Sequence, residues 1–225
     1  MFRKNIFMAA VCALGLAGPA SAATFHAEFW DVDTGSTGDP ANNVIDNLSD
    51  ALSIVEGANQ RAADATFKST GIDYPNGPTG PGGTADSIAT WLGADAATLS
   101  GLPGTTTMLG TIIRFTGSIF VDAGLNLFTV GVDDGFRLII DGQQVGSFGG
   151  TRAFTTYNTP FNNLGSAGVK DFELVFYEDN RVAVGVEFRK DGSVVAPVPL
   201  PAGAVLLLSA LGVAGGIARR KRKAA

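Results

Sequence analysis

The chain has 225 residues, with 21 acidic and 16 basic side chains, 30 glycines, 10 prolines and one cysteine. An acidic surface repels phosphate backbones, which argues against nucleic acid as a partner. A single thiol cannot form an intramolecular disulfide or a zinc-cysteine site, and the glycine and proline content calls for many turns, which suits an all-β domain.

In chain order, residues 1–22 read as a secretory leader. Arg3 and Lys4 open it, Ile6 to Ala17 form an apolar run, and Ala20-Ser21-Ala22 supplies a small-residue cleavage site. The run is too short for a permanent membrane span. Cys12 lies within it, so the exported chain has no thiolate nucleophile. TFHAEFWDVD follows, with Phe25, Ala27 and Phe29 alternating with His26, Glu28 and Trp30, the period-two pattern of a strand. Ile45, Leu48, Leu52 and Val55 then recur at helical spacing and predict a short amphipathic helix. ATFKSTGIDY reads as extended, residues 75–83 (PNGPTGPGG) as a turn-rich loop, and SIATWLGADAATLSGL as either helical turn or irregular segment.

From residue 111 the alternation sharpens. Ile113, Phe115, Ile119 and Val121 share one face of a strand, as do Phe128, Val130 and Val132 in the next and Phe136, Leu138 and Ile140 in a third. Asp141-Gly142 supplies a hairpin turn that accepts positive φ. Two more strands follow. Phe172, Leu174 and Phe176 face away from Asp171, Glu173 and Val175; Val182, Val184, Val186 and Phe188 face away from Arg181, Gly185 and Glu187. Short alternating strands joined by glycine-rich turns imply two antiparallel sheets packed face to face, or a closed barrel.

The C-terminal stretch, Leu200 to Ala218, carries no charge, and about 1.5 Å of helical rise per residue would take it across roughly 28 Å, one hydrocarbon core. Arg219, Arg220, Lys221, Arg222 and Lys223 follow, a basic cluster that marks the cytoplasmic side. A plain membrane anchor would look the same. Val198-Pro199-Leu200-Pro201-Ala202 directly before the span, however, resembles the VPLPA variant of a PEP-CTERM-type sorting signal. That resemblance implies processing by an exosortase in a bacterium that makes extracellular polysaccharide. The expected organisation is a leader at 1–22, one domain at 23–196 and a sorting signal with a transmembrane helix at 197–225. The two ends remove seven basic residues and no acidic ones, leaving the domain nine basic against 21 acidic, a net charge of −12.

Within the domain, Arg114-Phe115-Thr116-Gly117, then Asp133-Asp134-Gly135, then Asp141-Gly142, resemble the central signature of the protective-antigen/flocculin lectin fold, the PA-fourteen family. FYEDN before the last strand fits the same pattern, and AEFWDV near the start extends it; residues 34–110 are less diagnostic. The resemblance implies an antiparallel β-sandwich of jelly-roll character with a short helical insertion. In its lectin members the aspartate pair binds calcium, often across a cis peptide, and a second loop adds an asparagine and carbonyls while sugar hydroxyls complete the shell. Carried over, the metal ligands are Asp133, Asp134 and Asn180, with Asp179 and Arg181 near the bound ligand. Members outside the lectins share the fold, so the resemblance alone does not establish sugar binding.

Two carboxylates about 4 Å apart repel by roughly 1 kcal/mol in water and about 4 kcal/mol at an effective dielectric near 20. Calcium offers compensation, since it takes six to eight oxygen ligands of the kind these loops carry. The plain alternative is that Asp-Asp-Gly is a solvated turn.

Other constellations are weaker. His26 is the only histidine and no serine pairs with it by motif, so it reads as a strand residue with a satisfied ring rather than part of a triad. Glycosidase chemistry needs two carboxylates, yet no pair is singled out for it. The glycines at 142, 146, 149 and 150 lack the following helix of a phosphate cradle and read as turns. Trp30, Trp91, Phe154 and Tyr157 are of the type that stacks on sugar rings, although such aromatics in β domains more often belong to the core or rim.

The reading is therefore a non-catalytic protein, exported, transiently anchored in the inner membrane and then at the cell surface or in the extracellular matrix, where it binds carbohydrate or exopolysaccharide through calcium. Two alternatives remain: a structural matrix protein with calcium-stabilised loops and no sugar, and a polysaccharide hydrolase. Mass spectrometry of the protein recovered from cells checks the two processing signals. The expected mature chain begins at Ala23 and lacks Lys223; an intact basic tail would mean an anchor instead.

Overall fold

The structure, a computed structural model, describes residues 23–32, 45–75, 82–83, 86–179 and 182–198. The leader, the chain beyond Val198 with its expected transmembrane helix, most of the loop at 75–83, and both Asn180 and Arg181 lie outside the described residues. Among the described residues no helix is long and apolar enough to cross a membrane.

Among the described residues, twelve strands form two antiparallel sheets. The first sheet contains β1 (Phe25–Asp31), β2 (Ala65–Ser69), β5 (Thr111–Val121), β7 (Gly135–Ile140), β8 (Gln143–Phe148) and β10 (Gly168–Glu178), in the order β2-β1-β5-β10-β7-β8. The second contains β6 (Gly124–Asp133), β9 (Thr155–Asn163), β11 (Ala183–Lys190) and β12 (Ser193–Val194), in the order β12-β11-β6-β9. Two short pieces, β3 (Asp73–Tyr74) and β4 (Gly82–Gly83), pair with the same strand β11.

The alternation read from the sequence is what packs. Phe115, Ile119, Val130, Val132, Leu138, Leu174 and Val186, drawn from both sheets, are fully buried in one cluster. Phe188 of the second sheet stacks on Phe172 of the first, with centroids 5.4 Å apart, and on Phe128 beside it at 5.5 Å. Burying apolar side chains of this size contributes roughly 1.5–3 kcal/mol each, which makes the shared core the main stabilising term.

Helix α1 (Leu48–Val55) forms where the periodicity predicted it. Asn47 caps it, its side-chain oxygen accepting the N–H groups of Ser49 and Asp50 at 2.8 and 3.2 Å. Its most buried residues are Ala51, Ile54 and Val55, while Leu48 and Leu52 pack alongside, half-buried. The helix covers the outer face of the first sheet, joining Trp30, Ile112, Val175 and Tyr177 in a second cluster. Val175, expected to lie on the polar side of its strand, is fully buried for this reason. Below α1, Arg137 is held between Glu56 (2.5 Å) and Glu173 (2.5 Å), and its hydrogen bonds keep the Glu56 carboxyl below its ordinary pKa.

The undecided segment after residue 85 resolves into α2 (Ile88–Leu92), capped by Ser87, and a 3-10 helix over Gly93–Thr98. Trp91 sits in the main core and donates its ring N–H to the Val184 carbonyl at 3.4 Å. The Asp141-Gly142 turn has φ of 52° and 74°, as the hairpin chemistry predicted, and Asp191-Gly192 repeats it at 51° and 82° between β11 and β12. Val182 departs from expectation: it precedes β11 and is 77% exposed, not inward-facing. His26 is exposed on β1, opposite Lys68 and Thr116.

Because Phe188 bridges the sheets, Phe188→Ala is expected to cost about 3–5 kcal/mol of unfolding free energy, measured by urea denaturation. The exposed Val182→Ala should change it by less than about 0.5 kcal/mol.

Candidate functional site

The site lies where the chain changes sheets. Asp133 is the last residue of β6 and pairs with Gly185 in the second sheet; Gly135 opens β7 and pairs with Tyr177 in the first. One residue, Asp134, makes the crossing, and the Asp133–Asp134 peptide is cis. Gly135 is required by space: a Cβ there would stand 2.4 Å from the Tyr177 ring and 2.7 Å from the Phe148 carbonyl oxygen.

Both aspartates are almost completely buried, at 1% and 0% exposure. Their carboxylates are held by backbone N–H groups from two loops. Asp134 Oδ1 accepts from Arg152 at 2.8 Å and Oδ2 from Asp179 at 2.7 Å; Asp133 Oδ2 accepts from Phe154 at 3.0 Å. The Asp134 N–H in turn donates to the Tyr177 carbonyl at 3.2 Å. Hydrogen bonds of N–H groups to charged acceptors contribute roughly 1.5–3 kcal/mol each, a scale that makes burial of the pair feasible.

In the first of these loops, residues 149–154, sequence reading weighed only Phe154 as a ligand contact and took Gly149 and Gly150 as turn residues. The loop is tied down at several points. Tyr177 donates its hydroxyl to the Gly150 carbonyl at 2.9 Å, and Thr151 donates to Asp179 Oδ2 at 3.1 Å. Phe154 lies against β6 at Gly131, where a Cβ would come within 2.8 Å of its ring. Burial, reinforced by the charges of Asp134 and Asp179, pushes the Tyr177 hydroxyl well above its ordinary pKa, so it stays a donor throughout the physiological range. Small residues between two aromatics, Phe148 and Phe154, were the only visible signal for this loop.

Arg152 lies on the rim. Its guanidinium sits over the rings of Phe148 and Tyr157, at 5.4 and 5.5 Å from their centroids, and donates to the Tyr157 hydroxyl at 2.9 Å. Among the aromatic residues considered for stacking on a ligand, Trp30 and Trp91 are buried at 1% and 0% exposure and belong to the core; Phe154 and Tyr157 are half-buried beside the site.

The structure thus brings Asp133, Asp134 and the Asp179 backbone N–H together. Glu178 lies next to them in sequence, is fully buried, and accepts the Gly110 N–H at 2.9 Å. Among the described residues no group of three or more histidine, cysteine, aspartate or glutamate side chains converges as a metal-binding cluster. Any cation here would therefore draw on the two aspartates together with carbonyl and amide oxygens. That donor set is all oxygen, the kind a hard divalent ion takes, and a carboxylate oxygen that accepts one N–H can still ligate a metal.

Tyr177→Phe removes the hydroxyl that holds Gly150. The expected cost is about 1–2 kcal/mol, and hydrogen exchange should show reduced protection at the Arg152 and Phe154 amides, with the β5 amides unchanged.

No protein-family model matches the chain, and no curated protein matches it. Solved structures do. A PA14 sugar-binding domain from an RTX adhesin is 25% identical, covering 79% of this chain and 96% of that one, with a TM-score of 0.58. The PA14 domain of the MpAFP antifreeze protein is 23% identical over 77% of this chain and 85% of its own, with a TM-score of 0.59. The epithelial adhesin 6 A domain from Candida glabrata, solved with Galβ1-3GlcNAc, is 14% identical over 79% and 85%, with a TM-score of 0.50.

Proposed function

We propose that this chain is a carbohydrate-binding domain of the PA14 type, a β-sandwich of jelly-roll character that takes neutral sugar through a calcium ion. The carrying observation is the pair Asp133 and Asp134, buried where the chain changes sheets and oriented by backbone N–H groups. The likeness to a PA14 sugar-binding domain of an adhesin supports the same reading. Asp133 and Asp134 would hold the ion, with Asn180 adding an amide oxygen. When bound, calcium supplies an electrostatic anchor for vicinal hydroxyl groups.

The chain's own residues do the rest. The N–H groups of Arg152, Phe154 and Asp179 fix the carboxylates in direction, which lowers the cost of ordering them when a ligand arrives. Arg152 presents a planar donor on a rigid aromatic base beside the site, suited to a sugar hydroxyl or ring oxygen. Asp179 reaches the same place through its N–H to Asp134, and Arg181 stays a ligand-binding candidate on the sequence alone. No step in this reading is catalytic. The protein would be exported, held briefly in the inner membrane, released by an exosortase-type enzyme, and displayed at the cell surface or in the matrix as an adhesin or exopolysaccharide ligand.

The test is a glycan array run with calcium and with chelator, alongside thermal unfolding. Calcium at a hundredfold above its dissociation constant should add about 2.7 kcal/mol to stability. Asp134→Asn should lose most of that increment relative to its own calcium-free baseline. Sugar retention without calcium, or an unchanged calcium response in the variant, would overturn the site. A calcium response with no glycan bound would favour the structural-matrix alternative.

A further inference from the structure

The domain has two unlike ends. Strand β6 runs from Gly124 to Asp133, and nine residue steps at roughly 3.3 Å place its ends about 30 Å apart. Asp133 and Asp134 occupy one end. At the other gather five of the six exposed large apolar side chains among the described residues: Phe120, Leu125, Leu127, Leu164 and Val169. Phe120 and Val169 are cross-strand partners on the first sheet. Leu125 and Leu127 lie on the second sheet, opposite Asn162 and Pro160. Leu164, 91% exposed, follows the end of β9 directly, at the tip between the two sheets. Together they form a collar around the tip.

Both described termini are at this end. Phe25 opens β1 within one register step of His26, which pairs with Thr116. Val198 donates its N–H to the Ser118 carbonyl at 3.1 Å, only two residues before Phe120 on β5. The residues that follow Val198 in the sequence are the uncharged run 200–218 and the basic cluster Arg219 to Lys223. Too little chain separates Val198 from that run to carry it far: only Pro199 lies between, and two residue steps reach at most roughly 7 Å. The nearby ammonium groups Lys170 and Lys190 are each paired, with Asp141 and Asp122, so the collar is apolar without a surplus of unpaired cationic charge at those two positions.

We infer that the collar of Phe120, Leu125, Leu127, Leu164 and Val169 seats the domain on a lipid bilayer while the C-terminal apolar run is in place, which stands the Asp133–Asp134 end away from the membrane. Apolar side chains of this kind sink to the acyl boundary, as in interfacial segments that lie on rather than across a bilayer. A tip with polar residues would leave the domain tumbling on a short tether; the collar gives it an orientation. The inference does not rest on sugar binding; it rests on the proposed membrane placement of the run 200–218.

The test uses the full chain in a Cys12→Ser background, reconstituted in phosphatidylethanolamine–phosphatidylglycerol vesicles. Single cysteines at Phe120→Cys, Leu127→Cys, Leu164→Cys and, as the distal control, Ala153→Cys carry an environment-sensitive fluorophore. The expected result is blue-shifted emission and quenching by headgroup-labelled lipid at the three collar positions, with neither at Ala153→Cys. Adding Leu125→Ser and Leu127→Ser to the Leu164→Cys protein should abolish its blue shift while leaving its circular dichroism unchanged, since both positions are more than half exposed. Water-like emission at all four positions would overturn the proposal. So would a blue shift that grows with protein-to-lipid ratio, which would make the collar a contact between copies.

Discussion

The transfer of the chain from one sheet to the other between Asp133 and Gly135 is the constraint on which the rest depends. Strand β6 is hydrogen-bonded into the second sheet and β7 into the first, with a single residue between them. Such a short crossing leaves no room for a side chain at Gly135 and forces both carboxylates into the protein. An isolated buried carboxylate costs several kcal/mol, so the corner exists only because other parts of the chain bring hydrogen-bond donors to it. Those donors come from residues 152, 154 and 179, far apart in sequence and joined only by the fold. Amide dipoles stabilise charge without neutralising it.

The loop at 149–154 is anchored to the first sheet, which is covered on both faces. Its inner face packs on the second sheet, and its outer face is closed by α1. Tyr177 belongs to the outer cluster, yet its hydroxyl reaches the loop at Gly150, so helix packing, strand position and site geometry are linked through one residue. The same double coverage explains Arg137, whose guanidinium joins the strand below the helix to Glu56 at the helix end.

Polarity along the strands gives the domain a direction. The buried aspartates and their oriented amides lie at the end where β6 stops, and exposed apolar side chains gather where it begins, beside the exit of the chain. Sheet geometry separates the two ends by about the length of one long strand.

Much of this was legible in the residues. The inward faces of β1, β5, β6, β7, β10 and most of β11 followed from period-two alternation, because a sheet with one buried face imposes it. The Asp141-Gly142 hairpin and the α1 periodicity are local and were equally readable. The aspartate pair was visible as a type of residue in an unusual place. Strands β8 and β9 were not, since QQVGSF and TTYNTPFNN are polar or half-exposed and take their conformation from neighbours rather than from a hydrophobic stripe. Val175 and Trp30 looked like outward residues until α1 covered them. Sequence alone thus determined which side chains seek the interior and where the chain turns, because those preferences are properties of neighbouring residues. Which loops meet Asp133 and Asp134, and which end of the domain each terminus leaves from, were decided only by the tertiary structure, because contacts between residues dozens of positions apart have no signature in local pattern.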